Sequence, residues 1–370
     1  NGINPEGLSR LDATISNGRR NSSATTFLNP ALKRDNIKLQ KNILVEKIFL
    51  ENDRAVGIEV SEKGQKYRIE AEKEIILSAG ALNSPQILML SGIGPADHLR
   101  NIGSNVSHDL PGVGKNLQDH ATVSISWECL KEFEAHKIDR PINKMMAGIK
   151  WIITRKGLAA SNHFEAGGLI RGNDNVKYPN LQYHFGPTGF DYIGGKFKLS
   201  QAFTLQLDQL RPHSKGYLKL KSLNPKDSPE IKLNYFKDPR DIKELTEGVK
   251  KMRELVSQPV FDKFRGKEIS PGSEIQSDSE IEQAIRLNTI TDYHQCGTCA
   301  MGTDVNSVVD SEMRVKGINS LRVVDASVLP NVVSGNIGAP VMMIAARAAD
   351  WILGKNQLEP LKANFKFDQI

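Results

Sequence analysis

Residues 74–94 carry the pattern that most limits how this chain can fold. A short apolar run at 74–78 reads as a buried strand. It ends in Ala79 and Gly80, small enough for a tight turn. A helix over 83–90 is predicted next. Ser84-Pro85 offers a polar cap and a proline in the first turn, where a missing N–H costs nothing. Ser91-Gly92 closes it. A strand, a tight turn and a helix in succession bring backbone N–H groups close to a nucleotide.

The rest of the chain fits an α/β (mixed α+β) fold around that unit. Residues 1–36 are polar and read as loop with one short helix. Strands are expected at 37–39, 43–50, 55–60 and 67–70, with Asn52-Asp53 as the turn between the middle two. The texture changes after residue 120. Alternating strands are expected at 180–185, 203–210 and 216–221. An amphipathic helix follows at 238–256, with Ile242, Leu245, Val249, Met252 and Leu255 on one face. Short strands, glycine-rich turns and an apolar helix at 340–353 complete the chain. The expected layout is a split nucleotide-type domain at 1–120 and 286–370. An antiparallel sheet backed by helices is inserted at 121–285.

Composition excludes several function classes. Apolar residues make up 39% and charged residues 25%, the balance of a packed globular protein. The most apolar stretch, 339–353, is shorter than the roughly 18 residues of a membrane span and is interrupted by Arg347 and Asp350. The net charge is +6, but lysines alternate with acids, as at Lys243-Glu244. No basic tract interleaves aromatics for base stacking, so nucleic acid is not an expected partner. Cys129, Cys296 and Cys299 are too few for a disulfide scaffold and fit a reducing compartment. The chain opens at Asn1 inside a polar stretch, and the expectation is a fragment or trimmed chain with any targeting segment upstream.

Three further stretches carry chemistry. Residues 111–120 run Pro-Gly-Val-Gly-Lys-Asn-Leu-Gln-Asp-His. Leu117 stands where a dinucleotide fingerprint would have its third glycine. Residues 294–302 run His-Gln-Cys-Gly-Thr-Cys-Ala-Met-Gly, and two readings stand. Cys296 and Cys299 form a redox pair or half a metal site, or they pack a turn behind a functional His294. Residues 321–330 read as a buried strand ending at Asp325, which could cap the turn that follows. Residues 334–340 then open the last helix, whose free N–H groups suit an anion.

Together these stretches resemble the glucose–methanol–choline oxidoreductase family. The family's HPxGTCxMG motif matches at His294, Gly297, Thr298, Cys299, Met301 and Gly302. Residues 111–120 resemble its GVGxNLQDH segment, and 80–94 a family signature. Asn336 falls where relatives carry a second active-site His or Asn. The chain departs from the family pattern at Gly338, often Asn, and at Ala346, usually acidic. Residues 160–168, 179–185 and 265–272 resemble the choline-oxidising branch. The family's opening GxGxxG unit is not found.

The resemblance implies FAD as cofactor, held by Val45, Ala79, Gly80, Asn116, Asp325, Ala326 and Asn336, and no metal. It implies hydride transfer from a primary alcohol, choline to betaine aldehyde and on to glycine betaine, with His294 and Asn336 catalytic. Glu165 and Phe164 would receive the quaternary ammonium. Electrons would pass to a quinone or another acceptor besides oxygen. The enzyme would be cytoplasmic, with peripheral association at the inner membrane as an option. The alternatives are a family enzyme for uncharged alcohols, a thiol oxidoreductase using Cys296 and Cys299, or an inactive remnant acting as a binding module.

Overall fold

The computed structural model describes residues 5–164, 166–193 and 196–359, with backbone alone at 190–193 and 196–198. Two compact units share the chain. The first takes residues 1–38, 121–211 and 238–292, and the second takes 39–120, 212–237 and 293–370.

The first unit is built on a seven-stranded antiparallel sheet. Its strands run in the order Gly7–Arg10, Ala166–Ile170, Leu181–Gly186, Ala202–Gln209, Ala121–Cys129 and Arg265–Ser270, and Ile290–Thr291 also pairs with Ala121–Cys129. Alternation fixes the faces: Val123, Ile125, Trp127 and Cys129 are buried, whereas Ser124 and Glu128 are exposed. The helix Pro239–Val256 covers one face, capped by Asp238, whose side chain accepts from the Arg240 N–H. It buries Ile242, Leu245, Val249, Met252 and Val256. Each such side chain contributes about 1.5–3 kcal/mol. Val256 replaces the expected Leu255 as the last fully buried position, because the stripe drifts around an ideal helix.

A second helix of this unit, Pro141–Thr154, has no buried residue. Ile142, Met145, Met146, Ile149, Ile152 and Ile153 form an exposed apolar stripe at helical spacing. Trp151, half-buried, faces the other way and donates from Nε1 to the Gly18 carbonyl at 2.5 Å.

The second unit packs one core that includes Leu88, Met89, Ile93, Leu99, Cys296, Cys299, Val309 and Val323. Ile75–Leu77 pairs in parallel with Leu321–Val323. A three-stranded meander, Leu44–Glu51, Arg54–Glu62 and Gln65–Glu70, lies beside it in the same core. Asn52 and Asp53 make its two-residue turn, both with positive φ. Its longer helices are Gly80–Leu90 and Gly338–Ile352, and Ala96–Asn101 forms a shorter one.

Four expectations from sequence change. Residues 37–39 form no strand, since the short apolar run after Asp35-Asn36 finds no partner. Residues 7–10 belong to the antiparallel sheet, and Gly216–Lys219 pairs with Lys115–Leu117 in the second unit. Both lie outside the units where periodicity alone placed them, because alternation does not name a strand's neighbour. The expected 83–90 helix begins at Gly80, which puts Pro85 inside it and leaves Ser84 no role as its cap.

Candidate active site

The site of the second unit grows from an antiparallel pairing of two loops. Gln118 and Cys296 exchange both backbone hydrogen bonds, at 3.0 and 2.9 Å. This sets Asp119 and His120 beside His294. Asp119 is buried and accepts three hydrogen bonds. Its Oδ1 takes the His294 backbone N–H at 2.9 Å, and its Oδ2 takes Gln295 Nε2 at 2.9 Å and Tyr235 Oη at 2.6 Å. The loop bearing His294 is thus held by a carboxylate 175 positions earlier.

His294 and His120 are both buried, and their Nδ1 atoms lie 2.9 Å apart with the rings edge-on at 87°. One Nδ1 must carry the hydrogen and the other must accept it. His120 therefore couples to the tautomer of His294. Sequence reading placed His120 in a motif but gave it no part in the site. Nothing in local spacing announces a partner 174 residues away.

A second junction ties the remaining motifs together. Asp325 caps its own turn by accepting from Ser327 N–H and Oγ, at 2.8 and 2.5 Å. Its other oxygen accepts from Gly80 N–H at 2.9 Å and Ser84 Oγ at 2.5 Å. Four protein donors occupy this buried carboxylate. It acts as a clamp between residues 80–84 and 325–327. Pro85 has no N–H to give the Ala81 carbonyl, four residues back in the helix. Thr298 Oγ1 donates to that carbonyl instead, at 2.5 Å.

The other residues expected at a cofactor lie in the same unit. Asn116, with a left-handed φ of 60°, donates to the Pro330 carbonyl at 2.9 Å and the Gly297 carbonyl at 3.3 Å. Ala79, Gly80 and Ala326 are half-buried around the Asp325 clamp, and Val45 is half-buried against the core. A Cβ at Gly80, Gly335 or Gly338 would meet nothing within 4 Å. These positions leave open space beside backbone. Asn336 is exposed on the turn before Gly338–Ile352, a helix whose first N–H groups have no side-chain cap. Small residues, open space and an uncapped helix start fit a flat, partly anionic group.

The antiparallel unit, taken by itself, holds a polar cluster of its own. Phe164 packs edge-on against His184, with ring centroids 5.9 Å apart. His184 Nε2 lies 2.9 Å from Asp208 Oδ2, and Thr122 donates to Asp208 Oδ1 at 2.6 Å. Burial opposes the charged imidazole, but the hydrogen bond and charge of Asp208, with the charge of Asp292, outweigh it. The His184 pKa therefore sits above its ordinary value. Glu165, the expected carboxylate for a cationic substrate, lies outside the described residues.

The thiol alternative fails on this geometry. Cys296 and Cys299 are fully buried and unbridged. Burial, with the nearby Asp119 charge, pushes the Cys296 thiol up to about 12, and burial pushes Cys299 higher still. Both stay protonated, inert packing groups at neutral pH.

Comparison with known proteins agrees with these motifs. Two sequence profiles described as GMC oxidoreductase match residues 212–345 and 1–122. Human mitochondrial choline dehydrogenase is 44% identical over 360 residues, covering 97% of this chain and 61% of that protein. Oxygen-dependent choline dehydrogenase 1 of Chromohalobacter salexigens is 40% identical over 368 residues, covering 99% of this chain and 66% of its own length. The chain thus spans somewhat under two thirds of these relatives. Among solved structures, pyridoxine 4-oxidase from Mesorbium loti superposes with a TM-score of 0.81 at 27% identity, covering 95% of this chain and 65% of that one. A formate oxidase superposes at 0.87 and 26% identity, covering 94% and 65%. The chain belongs to the GMC oxidoreductase family.

Proposed function

We propose that this chain carries the catalytic and substrate half of an FAD-dependent alcohol dehydrogenase acting on choline. The observation that carries the reading is the buried His294–His120 pair held by Asp119, in a chain 40–44% identical to proteins named choline dehydrogenase.

Gly80, Ala79, Ala326, Asn116 and Val45 would line the flavin, and the start of the Gly338–Ile352 helix would face its electron-rich edge. Asp325 would act by holding the Gly80 turn in place, since its oxygens already serve protein donors. Bound FAD would supply the acceptor for the hydride leaving the alcohol carbon. His294 takes the hydroxyl proton at Nε2. That role requires its Nδ1 to donate to His120, so that Nε2 keeps a lone pair. A positioned base of this kind contributes about 10²–10⁴-fold. Asn336 holds the alcohol oxygen by hydrogen bonding. Phe164 and Glu165 receive the trimethylammonium group, the ring by cation–π attraction and the carboxylate by charge.

The aldehyde would be oxidised onward to glycine betaine at the same site. Electrons then pass to a quinone or another acceptor besides oxygen. The bacterial relative's name, oxygen-dependent, makes dioxygen the alternative, which oxygen consumption during turnover would reveal. Among the described residues no helix is long and apolar enough to cross a membrane.

The test is His294→Ala in the flavin-loaded enzyme. Reduction of the flavin by choline, followed at its visible absorbance, should fall by about 10²–10⁴-fold while the bound flavin remains. Near-normal reduction would remove His294 from the mechanism. A second reading, oxidation of an uncharged alcohol, is favoured by His184, whose cationic form Asp208 stabilises relative to a free imidazole beside Phe164. Similar rates for choline and its neutral isostere 3,3-dimethylbutan-1-ol would support that reading.

A further inference from the structure

The polar run Asn17-Gly18-Arg19-Arg20-Asn21 has no part in the chemistry above, yet it builds a defined feature of the antiparallel unit. Ile15–Ser16 and Arg19–Arg20 form a tiny hairpin. Its turn residues, Asn17 and Gly18, have φ of 50° and 66°. Gly18 seats against the end of the Pro141–Thr154 helix, where a Cβ would stand 2.2 Å from the Arg155 carbonyl oxygen. Only glycine fits there. The Trp151 indole bonds the Gly18 carbonyl, so hairpin and helix end are fixed to one another.

Between them lies an open pocket of about 440 Å³, lined by Arg19, Arg20 and Arg155 together with Asn17, Asn21 and Thr25. That volume is within the range of small-molecule sites, about 300–1,000 Å³. No carboxylate lines it. Among the described residues no acidic group pairs with any of the three guanidiniums. Two of them crowd one ring: Arg155 lies 4.4 Å and Arg19 5.6 Å from the Trp151 centroid. Arg155 also has Nη1 buried with no hydrogen-bond partner. Its backbone is left-handed, φ 57°, at a helix end where glycine or asparagine is the ordinary choice. A side chain kept in an unfavourable backbone state, beside like charges and with a buried donor unused, is a common mark of a binding site.

We infer that this pocket binds a phosphate-type oxyanion. Arginine forks match an oxyanion of three or more oxygens, one fork per edge, and two side-chain amides add neutral donors. A single carboxylate would satisfy only one fork. The oxyanion could be borne by a soluble phosphorylated molecule or by the headgroup of an anionic lipid. The apolar stripe on the helix that ends at Arg155 makes the second source worth its own arm. The inference rests on no assumption about His294 or the flavin.

Two measurements on the whole chain test it. Inorganic phosphate and pyrophosphate are titrated by calorimetry at constant ionic strength in chloride. Sedimentation is measured with phosphatidylcholine vesicles, with and without phosphatidic acid. Saturable binding of phosphate or pyrophosphate is expected, weakened about tenfold in Arg19→Gln and again in Arg155→Gln. Binding of the free ions without vesicle retention assigns a soluble ligand. Retention only on phosphatidic acid, lost in the same variants, assigns a lipid headgroup. Arg20→Gln, at an exposed position, serves if Arg155→Gln does not fold by circular dichroism. Absence of both kinds of binding, or binding unchanged in the folded variants, overturns the proposal.

Discussion

Asp119 fixes the geometry around His294. It holds the backbone of His294, the side chain of Gln295 and the hydroxyl of Tyr235 from a buried position. Hydrogen bonds to a charged group are worth about 1.5–3 kcal/mol each, and removing the acceptor strands the donors. Asp119→Ala should therefore lower unfolding stability by about 3 kcal/mol or more, read from urea denaturation. His120 acts more subtly. His120→Ala should slow flavin reduction by up to about 10²-fold, the cost of a misplaced base. It should also displace the pH profile of that step, because the hydrogen bond that selects the His294 tautomer is gone. A lower rate with an unmoved profile would reduce His120 to packing. The motif marks His294 as a candidate from sequence alone. It does not mark the two supports, because contacts across 174 and 175 positions leave no trace in local spacing.

At the scale of elements, the Gly80–Leu90 helix shows why a local rule can mislead. Proline after serine signals a helix start at Ser84-Pro85. The chain instead begins the helix at Gly80, where Asp325 receives the first N–H, and tolerates Pro85 inside because Thr298 serves the stranded Ala81 carbonyl. The consequence is non-additive. Thr298→Val should cost about 1–3 kcal/mol with Pro85 present. It should cost less in Pro85→Ala, whose new N–H reaches the same carbonyl. A thermodynamic cycle by denaturant titration reads that difference. The antiparallel sheet carries a pH-dependent pair. Because the His184 pKa is raised on folding, its stabilisation is complete below the ordinary imidazole value of 6.5 and is lost as pH rises through the raised one. Melting temperature should fall as pH rises through that window, and His184→Gln should flatten the fall. Alternation in 180–185 and 203–210 announced these strands, since buried and exposed faces force period two. It could not announce that His184 on one strand meets Asp208 on the next.

Over the whole molecule, the mixed α/β class and the inserted antiparallel sheet were readable, because they follow from helical and strand periodicity. The assignment of segments to units was not. Pairing of Gly7–Arg10 with Ala166–Ile170 is decided by tertiary hydrogen bonds that no window of sequence contains. The expected insert, residues 121–285, therefore omits an edge strand of its own sheet and the Ile290–Thr291 pairing. Expressed alone, that fragment should expose the Ala166–Ile170 edge and aggregate or lack a cooperative melt. Adding residues 1–38 and 286–292 should restore one, as followed by circular dichroism.

The interleaving also bears on how the chain is made. It passes between units after residues 38, 120, 211, 237 and 292. Neither unit has all its strands until the ribosome has gone beyond residue 285. At about 5–20 residues per second, the Gly7–Arg10 strand waits many seconds for Ala166–Ile170 to emerge. Synthesis thus leaves the Gly7–Arg10 strand dependent on whatever shields nascent chains. A shortage of such shielding should show first as loss of soluble yield, before any loss of activity in the molecules that do fold.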